Sequence, residues 1–197
     1  KHTKLEYHAD VPTSSGLGTS SAMNVVWTAL ITPHADKEKI AEAVFKIEHA
    51  IKQSSVNGKQ DQYAAAFGGI NFIEFTKEKV YVHQLNLRKS FINKLNDHLI
   101  LVYSGKAHYS GISNKAMIDN LLRGRNTNNL LRIKNIAKEM KNALLKEDLD
   151  KFADLMNQET NERRTLSKMT ISPQLQKIID NGMKNGAIAA KVCGSGG

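Results

Sequence analysis

The sequence predicts an α+β fold, and three observations lead to this class. Apolar runs at residues 70–75 and 80–85 flank a charged turn, which is typical of an antiparallel hairpin. Helical apolar spacing extends over long stretches at residues 128–145 and 149–166. The composition changes near residues 90–96, from glycine-punctuated strands to long charged helices. We therefore place a domain boundary there.

The first elements follow from breaker and capping residues. Residues 5–11 alternate loosely between apolar and polar side chains and predict a strand, which the proline and glycines of residues 12–18 end. Residues 20–31 contain no breaker and predict a buried helix, with Thr19 or Ser20 placed to cap it.

A second and a third helix follow in the amino-terminal half. Asp36 is placed to cap the second, and a third is predicted at residues 60–67, stopped by two glycines at residues 68–69. Four apolar residues of the second helix keep the spacing of one helical face: Ile40, Val44, Ile47 and Ile51.

The carboxy-terminal half is mainly helical by the same criteria. A short apolar run at residues 99–103 predicts a central strand, and residues 188–193 predict a final strand that enters a glycine-rich loop. Besides the two helices named above, helices are predicted at residues 114–122 and from Pro173 to about residue 185.

Composition excludes several classes of protein. The chain has 197 residues, 28 Lys and Arg against 19 Asp and Glu, and a net charge of +9. No run approaches the ~18 apolar residues of a membrane span, and we expect no signal peptide. The single cysteine, Cys193, excludes an internal disulfide framework and fits a reducing compartment, so we expect a cytoplasmic protein. The basic excess suits either nucleic acid or phosphorylated small molecules.

A glycine- and serine-rich loop at residues 12–22 is the strongest local signal. A strand enters it and a helix leaves it, so free N–H groups of the first helical turn, the helix dipole and nearby hydroxyls favour an anion. The loop is not a Walker A motif, because no lysine follows the second glycine, nor is it G-x-G-x-x-G, because Ser21 replaces the third glycine. From these features alone, phosphate binding and a capped glycine turn are both open.

Two further segments carry chemistry. Residues 191–197 form a second segment in which a predicted strand enters a glycine-rich loop. Two such loops in one chain favour a nucleotide site between them. Residues 58–69 place Asp61 at the start of a short alanine-rich helix. Such a carboxylate is usually a helix cap, but a tightly packed helix would also hold it rigidly, as catalysis requires.

These three segments together resemble a superfamily of small-molecule kinases, named for galactokinase, homoserine kinase, mevalonate kinase and phosphomevalonate kinase (GHMP). Residues 12–22 resemble its second motif, P-x-x-x-G-L-G-S-S-A, with Thr19 in place of serine, and residues 191–197 resemble the start of its glycine-rich third motif. Residues 58–69 are similar to the branch that phosphorylates the anomeric hydroxyl of D-glycero-D-manno-heptose 7-phosphate.

The resemblance implies a two-lobed fold: residues 1–92 belong to an amino-terminal, ATP-binding lobe like domain 2 of ribosomal protein S5, and residues 93–197 to a ferredoxin-like lobe. It also implies that the chain is a fragment lacking the superfamily's first motif and its carboxy-terminal end. One departure is Thr160, which stands where the family's L-M-N-E-x-H segment has histidine.

The resemblance also implies roles for individual residues, with ATP and Mg²⁺ as cofactors. Asp61 matches the catalytic carboxylate, and Ser20 with Glu48 matches the magnesium site, although a glutamate on a solvated helix face is the alternative for Glu48. ATP binding is implied for Pro12, Ser14, Ser15, Gly16, Leu17, Gly18, Thr19, Ser20 and Ser21. Contact with the sugar substrate is assigned to Asp61, Arg163, Arg164, Gly194, Ser195 and Gly196.

The leading interpretation is therefore an ATP-dependent kinase of a heptose 7-phosphate. The alternatives are a kinase for another sugar such as galactose or fucose, and an inactive relative that senses sugar or nucleotide. A nucleic-acid-binding domain has the required charge but lacks interleaved aromatic and basic residues. We expect a sugar phosphate and ATP as partners, neither nucleic acid nor a membrane, and a homodimer is left open.

Overall fold

The structure is a computed structural model that describes residues 4, 6–12, 15–51, 58–105, 118–167 and 170–194. Helix and strand both occur in this part of the chain, in agreement with the predicted α+β class, and residues 118–122 are also helical. The remaining elements are α1 (Thr19–Ile31), α2 (Lys37–Ile51), α3 (Gln60–Phe67), β1 (Asn71–Phe75), β2 (Val80–Gln84), α4 (Lys89–His98), α5 (Thr127–Leu145), α6 (Leu149–Leu166) and α7 (Pro173–Lys184).

Helices α1, α2 and α3 pack on one another around a small apolar core. Val25 of α1 is buried against Ile40 and Val44 of α2, and the alanines Ala65 and Ala66 of α3 close the cluster. Because alanine side chains are short, α3 lies close to the other two helices. This packing fixes the position of the first turn of α3, which carries Asp61.

The ends of α1 and α2 show which capping predictions hold. Asp36 accepts a hydrogen bond from the Lys39 N–H at 2.8 Å, so its prediction as the cap of α2 is confirmed. The prediction for α1 is wrong: Gly18 is the N-cap, with a left-handed φ of 68°, and no side chain caps the helix. Thr19 and Ser20 already lie inside the first turn of the helix.

The buried face of α2 also differs from the predicted one. Ile40 and Val44 are buried as expected, but Ile47 and Ile51 are 49% and 75% exposed. The buried stripe continues instead through Glu48, four residues after Val44. A carboxylate thus occupies the place that the apolar spacing assigned to isoleucine.

The predicted hairpin is confirmed. Strands β1 and β2 pair antiparallel, with Asn71 opposite Gln84 and Phe75 opposite Val80. Thr76 closes the turn by donating its hydroxyl hydrogen to the Lys79 carbonyl at 2.7 Å. The α3 bounds match the predicted residues 60–67, and α3 ends at Gly68, whose N–H bonds to the Ala64 carbonyl.

Helix α4 was not predicted, and it lies at the expected domain boundary. Its buried residues Phe91 and Leu95 pack against Leu144 at the end of α5. The division into residues 1–92 and 93–197 stays a prediction, but the dividing point lies inside this helix rather than in a linker.

Helices α5 and α6 form an antiparallel pair in which α6 has its predicted bounds. Ile136 and Ala143 of α5 are buried against Leu155 of α6. Asp148 caps α6 by accepting a hydrogen bond from the Lys151 N–H at 2.9 Å. Among the described residues, no helix combines the length and apolar character that crossing a membrane requires.

Three predicted strands, at residues 5–11, 99–103 and 188–193, are not formed in the part of the chain that the structure describes. The middle segment is exposed throughout, with Ile100 87% accessible. The alternating or apolar pattern was present in each, but a strand requires a hydrogen-bonded neighbour, and the described residues supply none there.

Candidate functional site

The glycine loop enters α1 in a conformation that glycine favours. Gly16 and Gly18 have φ values of 79° and 68°, in the left-handed region. The Ala22 N–H donates to the Gly18 carbonyl at 2.9 Å, which starts the helical hydrogen bonds. Because no side chain caps α1, the N–H groups of its first turn are not used by a cap and can face an anion.

Three buried polar atoms near this loop lack hydrogen-bond partners among the described residues. They are the hydroxyl oxygens of Ser15 and Thr19 and the side-chain carbonyl oxygen of Gln62. Leaving a buried polar group unpaired costs about 1–3 kcal/mol, so such groups are expected to meet a ligand or water. Two of the three belong to the residues predicted to bind ATP, which is consistent with phosphate oxygens filling the loop.

Asp61 lies directly beside the loop. A Cβ atom placed on Gly18 would sit 3.3 Å from both Cβ and Cγ of Asp61. Asp61 is exposed and occupies the first turn of α3. The fold therefore brings together a carboxylate and a glycine loop that are 43 positions apart.

Glu48 is buried rather than solvated, since only 6% of the residue is accessible. Its Oε2 accepts hydrogen bonds from the Ser21 hydroxyl at 3.1 Å and the Gln62 amide at 2.8 Å, and its Oε1 accepts one from Asn24 at 2.9 Å. The interpretation as a solvated helix face is therefore wrong. The carboxylate is instead oriented by α1 on one side and by α3 on the other.

Of the two predicted magnesium ligands, Ser20 and Glu48, only Glu48 has a side-chain hydrogen bond that links α1 to α2 within the described part of the chain. The hydroxyl that touches Glu48 belongs to Ser21, whereas Ser20 is exposed in the first turn of α1. The described residues contain no cluster of three or more His, Cys, Asp or Glu side chains that could hold a metal ion by themselves. A cation here would need oxygen ligands from a hydroxyl or from a bound phosphate as well.

The two glycine segments meet. A Cβ atom on Gly194 would lie 3.0 Å from the Gly16 carbonyl oxygen, and one on Gly16 would lie 3.3 Å from the Cys193 carbonyl oxygen. The two glycine segments expected to flank a nucleotide are therefore neighbours in the structure, and the nucleotide site itself stays a prediction. Ser14, Ser195 and Gly196 lie outside the described residues.

The two arginines predicted to bind substrate are placed differently. Arg163 donates from Nε to Oε1 of Glu159 at 2.7 Å, and from Nη1 to the Gly194 carbonyl at 3.3 Å. Arg164 is exposed in the last turn of α6. Arg163 thus reaches the carboxy-terminal glycines, but part of its hydrogen-bonding capacity is used inside the protein.

Glu159 is a buried carboxylate that the sequence did not single out. It is 4% accessible and pairs with Lys191 as well as with Arg163. Burial alone would raise the pKa of Glu159, but the hydrogen bonds and charges of Arg163 and Lys191 outweigh it and lower the pKa. Burial and the nearby Arg163 charge together lower the pKa of Lys191, although Glu159 opposes them.

Other members of the site were also missed, although the sequence held partial signals. Gln62 directly follows Asp61, and Asn24 lies three residues after Ser21, one helical turn away on the same face. Neither spacing distinguishes an amide that donates a hydrogen bond to Glu48 from an ordinary surface amide. Only the packing of α1 and α3 against α2 brings both amides to the carboxylate.

Comparison with protein families gives two matches in the order expected. The family model "GHMP kinases N terminal domain" matches residues 1–69, and "GHMP kinases C terminal" matches residues 140–197. The first therefore covers the glycine loop, Glu48 and Asp61, and the second covers the end of α5, all of α6 and α7, and the carboxy-terminal glycines.

Two curated relatives resemble the chain over nearly its whole length. D-glycero-alpha-D-manno-heptose 7-phosphate kinase of Campylobacter jejuni is 28% identical over 197 residues, which cover 98% of this chain and 58% of that protein. Probable glucuronokinase 2 of Arabidopsis thaliana is 27% identical over 205 residues, covering 100% of this chain and 56% of that protein. The chain thus spans somewhat more than half the length of these relatives.

Solved structures confirm the predicted fold. A D-glycero-D-manno-heptose 1-phosphate kinase from Bacteroides thetaiotaomicron superimposes with a TM-score of 0.68 at 28% identity, over 95% of this chain and 53% of that one. Mevalonate kinase from L. major, in complex with R-mevalonate, gives a TM-score of 0.70 over 94% of this chain and 56% of that one. At 18% identity the second match supports the fold alone.

Proposed function

The chain belongs to the GHMP kinase family, and on this premise we propose that it acts as an ATP-dependent sugar kinase, transferring the γ-phosphoryl group to the anomeric hydroxyl of a heptose 7-phosphate. The observation that carries the proposal is the contact between Asp61 and Gly18, since it puts a carboxylate at the edge of the loop that suits phosphate. The heptose kinase names of two relatives support the sugar class.

The phosphate end of ATP is proposed to lie on the amino terminus of α1. Backbone N–H groups of the first turn and the dipole of this 13-residue helix favour the negative charge. The buried, unpartnered hydroxyls of Ser15 and Thr19 would then donate to phosphate oxygens. The close approach of Gly16 to Gly194 leaves little space for a side chain at either position.

A magnesium ion would supply charge neutralisation when bound. Glu48 and Ser20 are the proposed ligands, and Ser21, whose hydroxyl already contacts Glu48, is the other hydroxyl within reach of this carboxylate. The amides of Asn24 and Gln62 orient Glu48 from both sides, so the carboxylate keeps one geometry. The chain's own contribution here is a buried, pre-oriented negative charge.

Asp61 is proposed to orient the acceptor hydroxyl and to take its proton as the phosphoryl group is transferred. Its position in the first turn of α3 is held by the α1–α2–α3 core, and the residue lies at the protein surface. Positioning is the main requirement of phosphoryl transfer, because the transition state needs little covalent help from the protein.

The sugar phosphate is proposed to contact Gly194, Ser195, Gly196 and the arginines Arg163 and Arg164. Arg163 is only partly available, since Glu159 holds its Nε. The glucuronokinase relative supports a different sugar as the second candidate. The two heptose kinases also differ in the phosphate position that their names give, so the acceptor must be tested directly.

The test is steady-state phosphorylation of a substrate panel by the full-length protein and its Asp61→Asn variant. The panel contains heptose 7-phosphate, heptose 1-phosphate, galactose, fucose and glucuronate. We expect turnover to be highest with heptose 7-phosphate, and Asp61→Asn to lower kcat by about 10²- to 10⁴-fold while ATP binding stays near normal.

Asp150→Asn is the matched control, because Asp150 is also an exposed aspartate in the first turn of a helix but belongs to α6. It should leave kcat unchanged. Near-normal turnover by Asp61→Asn would show that Asp61 is not catalytic and would remove the proposed mechanism. If only galactose, fucose or glucuronate were phosphorylated, the proposed kinase activity would stand, but the proposed heptose 7-phosphate substrate would be wrong.

A further inference from the structure

We infer that Glu159 is a positioning residue that holds the carboxy-terminal glycine segment, defined here as residues 188–194, in register with the phosphate loop. The inference rests on the proposed kinase function, to which it adds a residue outside the motifs that the sequence resembles. In the segment similar to L-M-N-E-x-H, Glu159 stands at the position that the motif leaves unspecified. The contacts of Glu159 in the structure therefore indicate its role.

Helix α6 binds the backbone of this segment through its side chains. Asn157 donates from Nδ2 to the Ile188 carbonyl at 2.8 Å and accepts from the Ala190 N–H at 3.3 Å. Thr160 donates its hydroxyl hydrogen to the Ala190 carbonyl at 2.8 Å. These bonds replace the strand pairing that the sequence predicts for residues 188–193, and they fix the start of the segment on α6.

Glu159 fixes the far end of the segment through charge. Lys191 of the segment pairs with Oε2 of Glu159, and Arg163 pairs with Oε1 while donating to the Gly194 carbonyl. One buried carboxylate thus holds two cations, one inside the segment and one bonded to its last described residue. Without Glu159, both partly buried cations would lose their carboxylate partner, and an unpaired charge moves toward water.

The position of the segment matters because Gly194 touches the phosphate loop at Gly16. A shift of Gly194 would change its contact with Gly16, and Gly194 is one of the residues proposed to contact the sugar phosphate. The phosphate loop is also held by α1 and by its contact with Asp61, so it depends less on Glu159 than the segment does. Loss of Glu159 should therefore affect the sugar acceptor more than ATP.

The experiment compares Glu159→Gln with the matched control Glu162→Gln in the full-length protein. Glu162 lies three residues further along α6 and is also ion-paired, but its partners are Arg132 and Asn129 of α5, both at 2.8 Å. We expect Glu159→Gln to lower kcat/KM for the sugar phosphate about tenfold, the equivalent of one charge-assisted hydrogen bond, with KM for ATP changed less than about twofold. Glu162→Gln should change neither value.

A second readout does not require activity. Trypsin cleaves after Lys191 only when this side chain leaves Glu159, so Glu159→Gln should raise the cleavage rate at Lys191 about tenfold. Cleavage after Lys138, in the middle of α5, reports general unfolding and should stay unchanged. Equal cleavage at Lys191 in the wild type and in Glu159→Gln would overturn the inference.

The double variant Glu159→Gln/Lys191→Met separates positioning from stability. It removes the partly buried cation that Glu159→Gln leaves without its partner, so thermal stability should recover, whereas kcat/KM for the sugar phosphate should stay low. Recovery of both would show that Glu159 only stabilises the fold, and would overturn the inference. If the wild type phosphorylates no sugar at all, the proposed function fails, but the trypsin comparison still decides whether Glu159 holds the segment.

Discussion

The contact between Gly18 and Asp61 gives the sharpest prediction for the candidate site. In Gly18→Ala the new Cβ would lie 3.3 Å from Cβ and Cγ of Asp61, closer than an ordinary carbon–carbon contact of roughly 3.5–4.0 Å. The φ of 68° also disfavours any residue with a Cβ atom. The substitution therefore has two separable effects, backbone strain and displacement of the carboxylate.

Gly124→Ala is the matched control, because Gly124 has a similar φ of 71° but no atom of the described residues lies within 4 Å of the position its new Cβ would take. Both variants should lose about 1–2 kcal/mol of stability, since that is the cost of a left-handed conformation for a residue other than glycine. For a chain of this size, the thermal midpoint should fall by roughly 2–8 °C in each case.

Activity should fall only in Gly18→Ala. Relieving the contact requires a shift of a few tenths of an ångström, and a misplacement of about 1 Å costs about 10²-fold in rate, so we expect kcat to fall by about five- to tenfold. In Gly18→Val the γ-carbons reach further, and ATP binding should be lost while the fold persists. Calorimetric titration with ATP and steady-state kinetics measure these effects. Equal kcat for both alanine variants, or unchanged ATP affinity in Gly18→Val, would refute the site.

Two further predictions concern buried carboxylates. Glu48→Gln should lower the free energy of unfolding by about 1–3 kcal/mol, because its amide nitrogen would face a hydrogen-bond donor. Its rate defect should recover in excess Mg²⁺, whereas the control Glu38→Gln, in the exposed first turn of α2, should leave stability and rate unchanged. A Glu48→Gln rate that does not respond to Mg²⁺ would contradict the metal role. The lowered pKa of Glu159 contributes stability that is complete above its ordinary pKa of 4.5 and is lost as the pH falls through the lower pKa of the folded state. In urea unfolding, the stability advantage of the wild type over Glu159→Gln should therefore shrink as the pH falls below the ordinary pKa of 4.5. An advantage that grows toward acid would contradict this sign.

Local patterns predicted those elements whose cause is local. The bounds of α3 and α6 matched the predicted residues, and the β1–β2 hairpin formed around its charged turn. Caps were predicted correctly where a side chain makes them, as at Asp36, and wrongly at α1, where the glycine backbone begins the helix. Helix α4 was missed because the change of composition at residues 90–96 was interpreted as a domain boundary.

The sequence by itself determined the family, the order of the motifs and most helices, because glycine spacing, helical periodicity and capping residues act over a few positions. The tertiary structure decided which side chains share a site. Only helix packing brings Ser21 rather than Ser20 to Glu48, and Asp61 to Gly18. The pairing of Glu159 shows both origins: Arg163 lies one turn away in the same helix, whereas Lys191 reaches Glu159 only because residues 188–194 fold back onto that helix.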